Sequence, residues 1–225
     1  LEISPMPVEA YSSFMSGLMC EDSFVDNAEK SGISSTLCSY HKVFIGAAEA
    51  GVLPKPKFAL TSSMVCDANI NTFRFTAEKY GIPYYIIDVP YELNRQSVEY
   101  VEKQLKEAVN LMEECTGKKL DENKLSKIID TENKSKEYMK KYLKALETGY
   151  LPMSLTLQMY MLFTSHTFMG REDVLKFYKL LAKDAAKFKC SAGTRVLWVH
   201  IMPFFSEPLK EYFNFSKKYQ LLCYD

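Results

Sequence analysis

The sequence predicts an α/β fold with a parallel sheet. Two short apolar runs with strand character, residues 58–62 and 84–89, flank a helical pattern that starts near Asp67. A second helical pattern, residues 37–50, precedes the first run. Helices and strands therefore alternate along the chain, which is typical of a parallel sheet covered by helices.

The same alternation begins again near the end of the chain. Residues 194–201 and 220–224 have strand character, and residues 207–215 between them have a helical pattern. We therefore predict three segments: a first α/β lobe at 1–92, a connecting helical segment at 93–193, and the start of a second α/β lobe at 194–225.

The connecting segment is predicted to consist of long helices. Residues 97–115 carry apolar side chains on one stripe, and residues 121–146 form a second long pattern. Residues 151–168 are apolar on nearly all sides, which predicts a helix buried all round, and residues 171–189 have a clear polar face.

The N-terminal segment is predicted to add short helices at residues 7–20 and 21–30. The following helix, at 37–50, carries the small residues Gly46, Ala47 and Ala48. Small side chains allow another helix or a cofactor to approach closely, or pack directly against a sheet.

Composition excludes several classes of protein. The 28 basic residues balance 28 acidic ones, and Lys and Glu are interleaved, so no basic surface for nucleic acid is predicted. No apolar run is long enough to span a bilayer. Six scattered cysteines without a CxxC pair indicate free thiols in a reducing cytoplasm. The chain begins at Leu1 and ends inside a predicted strand, so we expect it to be part of a longer protein.

Common catalytic motifs are absent from the sequence. There is no GxGxxG, P-loop, HExxH or GxSxG pattern, and only three histidines occur. His41 follows Cys38 by three residues, which allows a Cys/His pair on one helix face, although a partly exposed helix histidine is the favoured interpretation. His200, in an apolar strand pattern, is interpreted as a core or edge residue.

Two cysteines occupy positions where a site can form. Cys38 opens a predicted helix, and Cys66 follows the first predicted strand. Ligands of open α/β sheets bind beyond the carboxyl ends of the strands, and a helix N-terminus stabilises thiolate. Thiolates are preferred ligands of iron and iron–sulfur clusters, so the pair is a candidate metal site. Two unrelated buried thiols remain the alternative.

The stretch from Cys38 to Glu92 resembles the 2-hydroxyacyl-CoA dehydratase family, which includes benzoyl-CoA reductase subunits. The matching features are CSYHKVFIG, a Leu-Pro turn, a strand ending at MVCDAN, and GIPYYIIDVPYE after the next helix. The later segment RVLWVHIMPFFSEPLKEYF is similar to the opening of that family's second domain.

The resemblance implies two Rossmann-like (flavodoxin-like) lobes with a [4Fe–4S] cluster held by three cysteines of each subunit. Cys38 and Cys66 match the first two ligands. The third is expected in a later His-x-Gly-Cys-type motif that is absent from this chain, and Cys223 lies too early to replace it. Ser39 and Ser63 flank the matching cysteines and are candidate cofactor-binding residues, although turn and cap formation also explains their hydroxyls.

The implied reaction removes water from a 2-hydroxyacyl-CoA. One electron added to the thioester carbonyl gives a ketyl radical, which expels the α-hydroxyl and acidifies the β-proton. The implied partners are a homologous second subunit and an ATP-dependent activator protein that supplies the electron. A benzoyl-CoA reductase-type or double-cluster reductase subunit, and a silent subunit without a cluster, are the alternatives.

Overall fold

The computed structural model describes residues 3–64, 66–149, 155–188, 193–199, 212 and 218–224. The chain divides into two compact units, Leu1–Asp121 and Glu122–Asp225. Each unit combines helices with a two-stranded parallel sheet. The predicted mixture of helices and parallel strands is therefore confirmed, and helices predominate among the described residues.

The first unit contains five helices and two strands in the described residues. In chain order they are α1 Val8–Gly17, α2 Glu21–Lys30, α3 Ser39–Glu49, β1 Ala59–Ser62, α4 Asp67–Tyr80, β2 Tyr84–Ile87 and α5 Arg95–Thr116.

β1, α4 and β2 form a crossover unit. The two strands are parallel, with Ala59 opposite Tyr84 and Ser62 opposite Ile87. Gly81 caps the C-terminus of α4, and its φ of 60° lies in the left-handed region that glycine adopts without steric cost. The parallel pairing brings the carboxyl ends of both strands to the same edge, as the sequence predicted.

α3 is the central helix of the first unit. Residues 41–48 are all buried, including its polar residues His41 and Lys42. Phe44, Ala47 and Ala48 form the core with Val8 of α1 and with Leu53. A helix enclosed by its neighbours over two turns is a rigid support for groups at its N-terminus.

Gly46 explains how α3 fits against α2. An added Cβ at Gly46 would lie 1.7 Å from the carbonyl oxygen of Phe24, which belongs to α2. Gly46 therefore allows a neighbouring helix to approach the backbone of α3 closely. The carbonyl of Phe24 has no room to yield, since it is part of the α2 backbone.

The second unit contains three helices and two strands among its described residues: α6 Glu122–Leu146, α7 Leu155–Thr167, α8 Glu172–Ala185, β3 Thr194–Trp198 and β4 Tyr219–Tyr224. β3 and β4 are parallel, with a register shift between Val196 and Leu197. Tyr142, Leu146, Met161 and Ala185 form one core cluster of this unit. The predicted helix at 207–215 and the predicted strand position of His200 lie outside the described residues.

The prediction that residues 151–168 form a helix buried all round is wrong. Met161 and Leu162 are buried, but Leu157 is 48% exposed and Tyr160 is 40% exposed. α7 therefore buries one side only, and its apolar residues extend onto its exposed side. None of the helices in the described ranges combines the length and the apolar character needed to cross a bilayer.

Gly46→Ala should destabilise the first unit, because its methyl group forces α2 and α3 apart. We expect the free energy of unfolding to fall by about 1–3 kcal/mol or more, as in other overpacked cores. Urea denaturation followed by circular dichroism measures this change.

Gly17→Ala supplies the matched control, because nothing lies within 4 Å of a Cβ added at Gly17, the last residue of α1. This variant should be neutral or slightly stabilised. Equal stability of the two variants would contradict the close packing of α2 on α3.

Candidate functional site

Cys38 lies at the N-terminus of the central helix. It is the N-cap residue of α3, and its carbonyl accepts hydrogen bonds from the backbone N–H groups of His41 and Lys42 at 3.0 and 3.1 Å. Its side chain is exposed, and its thiol is free. The predicted position of Cys38 at the start of a helix is confirmed.

Lys42 holds the loop that leads to Cys38. The side chain of Lys42 is buried, and its ammonium group donates to Glu29 Oε1 at 2.8 Å and to the carbonyl of Ser35 at 3.0 Å. The first contact joins α3 to α2, and the second fixes the loop three residues before Cys38. Because a buried charge requires partners, these contacts specify the path of the loop.

Cys66 lies beyond the carboxyl end of β1, as predicted. It is the N-cap of α4, with extended backbone angles, and Asp67 is the first residue of that helix. The Cys66 thiol is free and half-buried. Both matching cysteines therefore lie at helix N-termini, where the helix dipole favours negative charge.

Ser63 joins the ends of the two strands. Its hydroxyl donates to Asp88 Oδ1 at 2.9 Å and accepts from the backbone N–H of Val89 at 2.8 Å. Its own N–H donates to the carbonyl of Ile87 at 3.0 Å. These three bonds fix the turn that leads from β1 toward Cys66. The candidate role of Ser63 toward a cofactor remains a prediction, as does that of Ser39, whose side chain is exposed.

Gln104 of α5 binds the backbone of Asp88, the residue that follows β2. Its amide accepts from the Asp88 N–H at 2.7 Å and donates to the Asp88 carbonyl at 2.8 Å. This pair of bonds replaces the partners that a neighbouring strand would supply to the edge of β2. The segment that follows β2 is therefore fixed by Ser63, just after β1, and by Gln104 of α5.

His41 connects the helix that Cys38 begins with the other cysteine. His41 Nε2 lies 3.5 Å from Cys66 Sγ, and His41 Nδ1 lies 2.9 Å from Thr72 Oγ1. Cys66 and Thr72 both belong to the N-terminal part of α4, so this contact fixes α4 against the first turn of α3. Sequence spacing allowed a pairing of His41 with Cys38, but the hydrogen bond that the structure shows for Nε2 is with Cys66.

The expectation that His41 is partly exposed is wrong. Its side chain is only 3% exposed, because α3 is buried on every side along this stretch. Burial lowers the pKa of His41 from its usual value and outweighs the Glu9 carboxylate, which acts in the opposite direction. The imidazole is therefore kept neutral at neutral pH.

The two matching cysteines fit part of an iron–sulfur ligand set. Both are free thiols at helix N-termini, and one is exposed where an incoming metal reaches it. In the ranges that the structure describes, no three side chains of His, Cys, Asp or Glu are grouped as metal ligands. Cys38 and Cys66 can thus supply two ligands, and a complete set needs a donor beyond those ranges.

Cys20 differs from this pair although it is also the N-cap of a helix, α2. Its thiol donates to the carbonyl of Met15, five residues earlier, at 3.4 Å. Cys115 lies half-buried within α5. Cys190 lies outside the described residues, and for Cys223 only the backbone, in β4, is described.

The lowered pKa of His41 predicts how stability depends on pH. The unfolded chain binds a proton at the usual histidine pKa of about 6.5, whereas the folded chain binds it only at lower pH. The free energy of unfolding should therefore decrease as pH falls from about 6.5 to the folded-state pKa, and this contribution should then level off.

His41→Gln should remove this part of the pH dependence, measured by urea denaturation at a series of pH values. His166→Gln, at an exposed site, tests whether losing any histidine has the same effect. An unchanged slope in His41→Gln, or an equal change in both variants, would show that His41 is not the group responsible.

Three curated relatives each match about half of this chain. The chain is 32% identical over 136 residues to the (R)-phenyllactyl-CoA dehydratase alpha subunit of Clostridium sporogenes, covering 56% of this chain and 31% of that protein. It is 31% identical over 139 residues to the (R)-2-hydroxyglutaryl-CoA dehydratase subunit alpha of Acidaminococcus fermentans, covering 59% and 28%. It is 28% identical over 111 residues to the (R)-2-hydroxyisocaproyl-CoA dehydratase alpha subunit of Clostridioides difficile, covering 45% and 27%.

The matched region thus spans less than a third of the length of each of these relatives. A family model covers far more of this chain. The model described as 2-hydroxyglutaryl-CoA dehydratase, D-component, matches residues 6–225, which is nearly the whole sequence. The resemblance drawn from the motifs around the two cysteines is therefore confirmed, and the chain belongs to the 2-hydroxyglutaryl-CoA dehydratase D-component family.

Proposed function

We propose that this chain is part of a subunit of a 2-hydroxyacyl-CoA dehydratase, a hydro-lyase that eliminates water from a 2-hydroxyacyl-CoA. Membership of the family supports this proposal, as do three relatives that are named alpha subunits of such dehydratases. Those relatives act on different acyl groups, so the proposal names the substrate class and not one acyl-CoA.

The observation that carries the proposal is the placement of Cys38 and Cys66. Each is the N-cap of a helix, and Cys66 Sγ lies against the first turn of the helix that Cys38 begins. We propose that these thiolates bind two irons of a [4Fe–4S] cluster, with a third cysteine from beyond this chain. Such a cluster, when bound, supplies single-electron transfer and an iron that polarises a substrate oxygen.

The residues of this chain would position the cluster and restrict access to it. Lys42 fixes the loop that precedes Cys38, and Ser63 and Asp88 fix the turn that precedes Cys66. His41 and Thr72 are buried between these elements, so the inner side of Cys66 is closed to water. Cys38 is exposed, which would leave the cluster open on that side to substrate and to the remaining ligands. Ser39 and Ser63 are proposed to supply hydroxyl groups beside the cluster.

The same proposal includes the partners and the wider architecture. The relatives are alpha subunits, which supports assembly with a second, homologous subunit as a heterodimer. We propose that an ATP-dependent activator supplies the starting electron, because a thioester is difficult to reduce. The short parallel sheets would belong to Rossmann-like lobes, and a reducing cytoplasm would keep the thiols available.

Anaerobic loading with iron and sulfide tests this function. The full natural chain, together with its partner subunit, should develop the broad absorption near 400 nm of a thiolate-bound cluster. Cys38→Ser and Cys66→Ser should each lower the bound iron and weaken this band, because each removes one thiolate. Bound iron and absorbance are measured on the same samples.

Cys20→Ser is the matched control, because Cys20 also caps a helix but donates to a local carbonyl. It should retain wild-type iron. A folded heteromer that binds no iron would instead identify a silent subunit. Cluster formation that is insensitive to Cys38→Ser and Cys66→Ser would contradict the assigned ligands.

A further inference from the structure

Thr72 and His41 form a buried pair whose hydrogen-bond direction can be deduced. Thr72 is 0% exposed and His41 is 3% exposed. Among the described residues, the hydroxyl of Thr72 has one recorded partner, His41 Nδ1, at 2.9 Å. A buried hydroxyl that does not donate its hydrogen is an unsatisfied polar group, which destabilises the folded state.

The hydrogen bond between them therefore runs from Thr72 to His41. If Thr72 Oγ1 donates, then His41 Nδ1 is the acceptor and bears no hydrogen. In a neutral imidazole the other nitrogen, Nε2, then carries the hydrogen. His41 Nε2 faces Cys66 Sγ at 3.5 Å, so it donates an N–H···S hydrogen bond to that sulfur.

We propose that Thr72 fixes the Nε2–H tautomer of His41, which makes His41 a positioning residue for the Cys66 sulfur. This inference rests on the proposed function where it assigns Cys66 to a metal. It adds His41 Nε2–H as a hydrogen-bond donor to the Cys66 sulfur. A thiolate accepts hydrogen bonds and cannot donate them, so this tautomer matches the ligating form of Cys66.

The arrangement resembles the outer ligand shell of other metal sites in its physical effect. Groups that hydrogen-bond to a ligand orient it and stabilise it, and their loss commonly weakens metal binding by about 10–100-fold. Hydrogen bonds to cluster sulfurs also contribute to the reduction potential. Because Thr72 and His41 are both buried, solvent does not compete for the bond to Cys66.

The tautomer is measured directly by nitrogen NMR of the histidine side chains in the metal-free full chain. We expect the His41 signals to show a protonated Nε2 and an unprotonated Nδ1. The chain has three histidines, and His41→Gln identifies the relevant signals by their loss. A His41 with its hydrogen on Nδ1 would overturn the inference.

Variants of Thr72 test the cause of the tautomer. Thr72→Val keeps the shape of the side chain but removes the hydroxyl, so the preference for Nε2–H should be lost or reduced. Thr72→Ser retains the hydroxyl and should retain the preference. Equal tautomer populations in Thr72→Val and wild type would show that Thr72 does not set them.

Variants of His41 test the effect on the metal. The side-chain amide of Gln reaches the position of Nε2, whereas that of Asn reaches only the position of Nδ1. After anaerobic loading with iron and sulfide, His41→Asn should release iron to a chelator about 10-fold faster or more, with a shifted midpoint potential. His41→Gln should remain close to wild type, and thermal unfolding of both shows whether the fold is intact.

The two proposals fail in different ways. If the wild-type protein binds no iron, the proposed function fails, and the NMR measurement on the metal-free chain still decides the tautomer. If the cluster forms but folded His41→Asn and wild type release iron equally, the role of His41 toward Cys66 is wrong while the dehydratase assignment stands.

Discussion

The first turn of α3 is the constraint on which the candidate site depends. Cys38 caps this helix, His41 contacts Cys66 of α4, and Lys42 fixes the loop before Cys38. Residues 41–48 are buried, so the turn is held by the core of the first unit. A helix that is enclosed in this way can position ligands more accurately than a surface loop can.

The first turns of α3 contain two polar side chains that are buried. His41 and Lys42 are consecutive polar residues at the start of a buried stretch of α3 whose other residues, 43–48, are apolar or glycine. Both side chains find their polar partners on other elements. Lys42 donates to α2 and to the loop between α2 and α3, whereas His41 hydrogen-bonds to α4. Buried polar groups with defined partners favour one arrangement of the surrounding elements over others. The arrangement selected here places both cysteines at helix N-termini in the same unit.

The order of elements and the position of the cysteines could be predicted from sequence because they depend on local patterns. Apolar runs, the Gly81 helix end and the motif around Cys66 are all visible in short windows. The contact of His41 with Cys66 joins residues that are 25 positions apart in the sequence. The close packing of Gly46 against the backbone of Phe24 likewise joins two different helices. No local pattern specifies such contacts. The one available signal for His41 was its position next to the apolar and small residues of the predicted helix at 37–50, since a polar residue that is buried there needs a partner.

The exposure of α7 was mispredicted for a related reason. Its composition is apolar on most sides, but composition does not show how many neighbours a helix has. Only packing of Met161 and Leu162 against their neighbours distinguishes the buried side from the side that carries Leu157. Sequence periodicity therefore identified the helix and could not define its environment.

The central claim is that Cys38 and Cys66 hold the same metal cluster. Diffraction at the iron absorption edge, from anaerobic crystals of the iron- and sulfide-loaded full protein, tests it most directly. The account predicts the anomalous iron signal of one cluster, in which one iron is bonded to Cys38 Sγ and another iron to Cys66 Sγ, with His41 beside the second sulfur. Iron bound elsewhere, or bound to one of these sulfurs only, would contradict it.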